Sequence, residues 1–123
     1  MDRRILFLKE EVVSNLRKQY SVEKLAVSVN LSASHLQKLF KAETGMSAVQ
    51  YVRHLKMEKA RELLEGSFLL IKEIRKEVGV LDLSHFVRDF KDSYGLTPSE
   101  YRKQYWQKLE SEKQASEIDS IRH

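Results

Sequence analysis

Residues 31–51 read LSASHLQKLFKAETGMSAVQY, and residues 81–101 read LDLSHFVRDFKDSYGLTPSEY. Shifted by 50 positions, the stretches share Leu31/Leu81, Ser34/Ser84, His35/His85, Phe40/Phe90, Lys41/Lys91, Gly45/Gly95 and Tyr51/Tyr101. That is seven identities in 21 positions, and several differences are physical synonyms: Ser32/Asp82 and Ser47/Thr97 are helix caps, and Lys38/Arg88 are cations. Upstream the offset becomes 49, pairing Leu25, Val29 and Asn30 with Ile74, Val78 and Gly79. Self-similarity of this kind marks a duplicated structural unit.

Each copy carries the same local instructions. A short apolar-periodic helix ends at Asn30 or Gly79, residues that tolerate the left-handed conformation a tight turn needs. Ser32 or Asp82 then caps a second helix, whose inward residues are Leu36, Leu39 and Phe40 in one copy and Phe86, Phe90 and Tyr94 in the other. Gly45 and Gly95 stop these helices. Short helix, tight turn, capped helix is the helix-turn-helix arrangement, present twice.

Outside the repeat, Ile5, Leu8, Val12 and Leu16 mark a first amphipathic helix from about Arg3 to Gln19. Ser21 caps a second helix with Val22, Leu25, Ala26 and Val29 inward. Ser47 and Gln50 form a capping box that opens a long helix to about Glu65, with Val49, Val52, Leu55, Ala60, Leu63 and Leu64 at buried positions. Ile71, Ile74 and Val78 mark a short helix over Leu70–Val78. Thr97, Pro98 and Glu100 start the last helix, which carries Tyr101, Tyr105 and Trp106. The expected fold is all-α, with about seven helices. The first helix-turn-helix subdomain spans 1–47, a linker helix 48–65, the second subdomain 66–109, and a frayed or disordered tail 110–123.

Composition narrows the function classes. With one Pro and four Gly in 123 residues, helices are favoured over turn-dense β folds. The net charge of +4 permits nucleic-acid binding without requiring it. Residues 107–123 set Lys108, Lys113 and Arg122 against four carboxylates, so the remainder of the chain carries +5. The absence of Cys rules out disulfides and thiolate metal sites, and a reducing cytoplasm fits. No apolar run reaches the roughly 18 residues of a membrane span, and no signal peptide is evident. His35, His54, His85 and His123 lack metal-ligand spacing, and adjacent Ser–His pairs cannot act as nucleophile and base across a pocket. No enzyme, cofactor or metal is expected.

The outward face of the second helix in each unit carries the chemistry. Ser34, Gln37, Lys38 and Lys41 fall at i, i+3, i+4 and i+7, and Ser84, Val87, Arg88 and Lys91 repeat that spacing. A helix in the major groove needs amide or cationic groups for base edges and cations for phosphates. Ser34, Gln37, Lys38, Ser84, Val87 and Arg88 are therefore candidate base readers. Ser32, His35, Lys41, His85 and Lys91 are candidate phosphate contacts.

These residues resemble the AraC/XylS family of transcription regulators over about Leu16 to Trp106. The resemblance is carried by Leu25-Ala26 with the Asn30 turn, by Ser34-His35-Leu36-Gln37-Lys38-Leu39-Phe40-Lys41 with Thr44-Gly45, and by Ser84-His85-Phe86, Arg88, Phe90-Lys91, Gly95, Thr97-Pro98 and Tyr101-Arg102. It implies two recognition helices entering neighbouring major-groove segments on one face of a duplex, and activation through RNA polymerase. The chain departs from the family pattern at four places. Arg75 stands where a small residue is usual, Val80 where an aromatic is usual, and Asp92 where a cation is common; Asp89 replaces the Leu39 of the first copy.

The expected partner is double-stranded DNA, bound in the cytoplasm at the nucleoid by a monomer unless a further domain dimerises it. The second unit is expected to be the weaker reader, because Asp92 lies within helical pairing reach of Arg88, and Asp92 and Asp89 add negative charge close to phosphate. Arg75 is expected to snorkel outward or to shift the helix packing, with a phosphate contact as the competing view. The alternative is a helical protein-interaction adaptor, with Leu83 and Val87 on its surface.

Overall fold

The computed structural model describes residues 1–122. Seven helices, among the described residues, follow from the caps and breakers: α1 (Arg3–Ser14), α2 (Val22–Ser28), α3 (Ala33–Thr44), α4 (Ala48–Gly66), α5 (Ile71–Glu77), α6 (Leu83–Tyr94) and α7 (Pro98–Arg122). Ser32 Oγ accepts from the His35 amide and Asp82 Oδ1 from the His85 amide, each at 3.1 Å. Gly45 and Gly95 close α3 and α6 with φ of 74° and 78°. The Ser47/Gln50 capping box opens α4, and Thr97 with Glu100 forms its counterpart on α7. The repeat is thus a structural duplication. From Leu36 to Gln50 and from Phe86 to Glu100, buried, half-buried and exposed positions alternate identically.

The interior divides in two. Ile5, Leu8, Val12, Leu16, Leu25, Leu36 and Phe40 pack with Ala48, Tyr51, Val52 and Leu55 of α4. Ile74, Val78, Phe86 and Phe90 pack with Met57, Ala60 and Leu64 further along the same helix. The helix read as a linker is therefore part of both cores, and the division falls at Lys56. At 19 residues, α4 is about 28 Å long.

Several local expectations change. α1 stops at Ser14, a turn before the expected Gln19. Asn15 leaves the helical conformation, and the Tyr20 hydroxyl donates to its carbonyl at 2.9 Å. Leu16 still reaches the core from the turn that follows. Val49, expected inside, is exposed; its repeat partner is the polar Ser99. The tail is helical to Arg122, with residues 110–121 exposed, and position 123 lies outside the described residues. Its lack of periodicity means only that it has nothing to pack against. Gln, Lys, Glu, Leu and Ala are good helix formers, and no Gly or Pro interrupts them.

Candidate nucleic-acid interface

α3 and α6 bury Leu36 and Phe40, and Phe86 and Phe90, completely. That burial fixes what faces outward. Ser34, His35, Lys38 and Lys41 are exposed on α3, as are Ser84, His85, Arg88 and Lys91 on α6. The Lys41 ammonium reaches back to the Gly45 carbonyl at 3.1 Å. Ser32 is exposed too, but its hydroxyl already serves as the α3 cap. In the second unit the cap is a carboxylate. The backbone amides of His85 and Ser84 hold the Asp82 carboxyl below the ordinary aspartate range, so it stays charged at the start of α6.

Gln37 and Val87 lie elsewhere than the spacing suggests. Both are half-buried. Gln37 Oε1 accepts from the Ala48 backbone N–H, the first residue of α4, at 3.2 Å. The second unit has no such need: the residue matching Ala48 is Pro98, which has no N–H, and the residue matching Gln37 is the apolar Val87. Acceptor and donor are both present in one copy and both absent in the other. Gln37 thus has a role inside the fold that the sequence reading did not assign. Gln37→Ala should lower stability by about 1 kcal/mol through the stranded, fully buried amide, whereas Val87→Ala strands nothing. Urea melts of the two variants check this, and equal small losses would count against it.

The acidic residues of α6 also differ from expectation. Asp89 is half-buried and turned toward α4, with Oδ2 3.8 Å from Arg53 Nε. No ion pair joins Arg88 to Asp92 among the described residues, and both are exposed. A tethered Arg88 and an outward Asp89 are thus absent, while Asp92 keeps its exposed negative charge on α6. Arg75 is half-buried and turns back onto the chain. Its Nη1 donates to the Val80 carbonyl at 2.7 Å and the Leu81 carbonyl at 3.0 Å, closing the turn that leads into α6.

Between the units runs a cleft of about 430 Å³, with Val49 and Arg53 of α4 on one side and Asp82, His85 and Asp89 on the other. His85 Nδ1 is 3.9 Å from Asp82 Oδ1 at its edge. No cluster of His, Cys, Asp or Glu that could hold a metal occurs among the described residues, and no helix is long and apolar enough to cross a membrane.

Two helix-turn-helix units sharing one helix, each presenting a polar and cationic outer face, define a double helix-turn-helix DNA-binding domain. Residues 25–104 match the model of a helix-turn-helix domain family, and the chain belongs to the AraC/XylS family of transcription regulators. It is 38% identical over 89 residues to the lactose operon transcription activator of Staphylococcus xylosus, covering 72% of this chain and 32% of that protein. The C-terminal domain of AraT, a response regulator from Geobacillus stearothermophilus, superimposes with a TM-score of 0.78 at 28% identity, covering 84% of this chain and 86% of that one. The DNA-binding domain of AdpA, solved in complex with a target DNA, has the same fold, with a TM-score of 0.78 at 24% identity over 83% of this chain and 92% of that one. The chain spans about a third of the length of the curated relatives it matches.

Proposed function

We propose that this domain reads two adjacent major-groove segments of double-stranded DNA, one with α3 and one with α6, and binds as a monomer. The observation that carries this is the duplicated outer face: Ser34, Lys38 and Lys41, and Ser84, Arg88 and Lys91, exposed in the same frame. Lys38 and Arg88 meet base edges, where a cation suits guanine, and Lys41 and Lys91 meet phosphate. Ser34 and Ser84 add short hydroxyl contacts. His35 and His85, beside the helix N-termini, face the phosphates flanking each groove segment. Gln37 keeps only its amide NH2 for DNA, and Val87 only apolar contact. The named role of the staphylococcal relative and the DNA complex of AdpA support this reading. The relative's name as an activator favours transcription activation in the cytoplasm, and the route we propose for it is contact with RNA polymerase from a neighbouring site.

Selection of bound sequences from random duplex DNA, followed by titration at two salt concentrations, tests it. Lys38→Ala and Arg88→Ala should each weaken binding by about 1–3 kcal/mol and relax preference at one base position. Lys41→Ala and Lys91→Ala should weaken all sequences alike and flatten the salt dependence by about one charge each. Failure to enrich any duplex would leave the adaptor reading in its place. Loss confined to Lys38→Ala would restore the one-sided reader expected from sequence.

A further inference from the structure

Among the described residues, Lys56 is the one charged residue that is buried, exposed by only 7%. It lies on α4 where one apolar core gives way to the other. Its ammonium donates to the Lys18 carbonyl of the first unit at 3.2 Å and to the Gly79 carbonyl of the second at 2.9 Å. Gln19 Nε2 donates to the same Gly79 carbonyl at 2.7 Å, and Arg17 pairs with Glu77 beside it. Burial pushes the Lys56 ammonium below the ordinary lysine range, yet its hydrogen-bond partners are neutral carbonyls. A buried cation so placed is costly unless its hydrogen bonds are met, so its environment is geometrically demanding.

We propose that Lys56, with Gln19, is a positioning element that fixes the second recognition helix against the first unit and so sets the spacing between the two half-sites that the protein accepts. Apolar contact within two separate cores is non-directional and leaves relative rotation soft, whereas hydrogen bonds constrain angle and distance. The gripped atom is well placed to transmit this constraint. Gly79 is the turn residue of the second unit, three positions before the Asp82 cap of α6, and Arg75 ties the intervening Val80 and Leu81 carbonyls down. Displacing Gly79 therefore displaces α6. One inserted base pair moves the second half-site by about 3.4 Å and rotates it by about a tenth of a turn. A rigid pair of readers rejects that change, while a loosened pair follows it.

The inference rests on the proposed two-groove reading, and its test separates the two. The chain has no Cys, so Ala42→Cys and Ser93→Cys place spin labels on exposed positions of α3 and α6 alone. Without DNA, the distance distribution between labels should be narrow in the parent, broad in Lys56→Met, and narrow again in Lys56→Arg, which keeps the donors. On duplexes with the selected spacing lengthened or shortened by one base pair, parent affinity should fall at least ~10-fold, because simultaneous engagement is lost. In Lys56→Met the penalty should shrink to ~3-fold or less, with affinity for an isolated half-site unchanged. If Lys56→Met does not fold, Arg17→Ala/Gln19→Ala, which removes the outer links without touching the buried cation, has to show the same broadening and the same relaxed spacing. A folded variant with the parent's label distribution and spacing penalty overturns the proposal. If no duplex binds, the functional reading fails, and the label distances still decide whether the clamp exists.

Discussion

Gly79→Ala is expected to destabilise the domain by about 3–5 kcal/mol, a large part of the 5–15 kcal/mol typical of a whole domain. Two penalties add. Gly79 has φ of 70°, in the left-handed region, where a side chain costs about 1–2 kcal/mol. A Cβ there would also lie 2.0 Å from the Leu16 carbonyl oxygen, 2.9 Å from the Arg17 Cα and 2.8 Å from the Lys56 ammonium. Two of those three atoms are backbone, so relief requires the turn after α1 to retreat from α5, which opens the seam between the units. Gly95 supplies the control. Its φ is 78°, but a Cβ there meets nothing within 4 Å, so Gly95→Ala should cost only about 1–2 kcal/mol. Gly79→Asn separates the two terms. Asn tolerates the left-handed region, as Asn30 does at φ of 58° in the first unit, but it carries the same Cβ. If the clash dominates, Gly79→Asn is nearly as damaging as Gly79→Ala. Thermal melts should show Gly79→Ala lowered by about 10–20 °C. A loss no larger than that of Gly95→Ala would show that the segment at residues 15–17 yields at little expense.

The same residue shows where sequence reading succeeds and where it stops. The turn at Gly79 is legible because the repeat pairs it with Asn30, and both belong to the few residue types that accept positive φ. Caps, glycine stops and the apolar stripes of α3 and α6 are legible for a similar reason: each demands a residue type at a fixed offset. What Gly79 packs against is not legible. Its neighbours are the carbonyl of Leu16, the Arg17 backbone and the far end of Lys56, and backbone atoms leave no trace in residue identity. The same holds for Arg75, Gln37 and Lys56, whose polar ends all find backbone groups contributed by other segments. For two of them a faint signal existed. Lys56 falls between Val52 and Ala60 at spacings of four, inside the buried stripe of α4, where an unpartnered cation is improbable. Gln37 and Ala48 change together to Val87 and Pro98 in the second copy, as a hydrogen bond and its loss require. The candidate DNA faces were readable in outline because burial of the Phe40 and Phe90 stripes dictates them. Which polar residues on those faces remain free was not, since that depends on where each side chain finds its nearest partner.

Arg102 is the other position where one side chain is expected to matter most, again through backbone acceptors. A helix leaves its last four carbonyls without intrahelical donors, and the last turn of α4 is partly covered by α7, with Leu64 buried and Gly66 exposed. Arg102 Nε donates to the Leu64 carbonyl at 3.1 Å, Nη1 to Leu69 at 2.6 Å, and Nη2 to Leu63 at 3.3 Å and Ser67 at 3.2 Å. One guanidinium thus satisfies the end of α4 and the loop to α5, and it binds both to the first turns of α7. Burial lowers its pKa from the ordinary arginine value, but from so high a start it stays charged at neutral pH, and its bonds are charge-assisted. In Arg102→Ala, the Leu63 carbonyl keeps the Ser67 amide and hydroxyl as donors, whereas the Leu64 and Leu69 carbonyls have no other donor among the described residues. At about 1–3 kcal/mol for each stranded group, the loss should total about 3–5 kcal/mol. Arg102→Lys keeps the charge but not the fork, so one ammonium can serve only part of the ring of carbonyls and about half of that loss should remain. Both variants should shift the urea midpoint with little change in slope, because surface exposed on unfolding scarcely differs. Well below the midpoint, the preferred base sequence should be unaltered, because no atom of Arg102 belongs to the α3 or α6 face. A destabilisation under about 1 kcal/mol in Arg102→Ala would mean that water reaches these carbonyls and satisfies them as well as the guanidinium does.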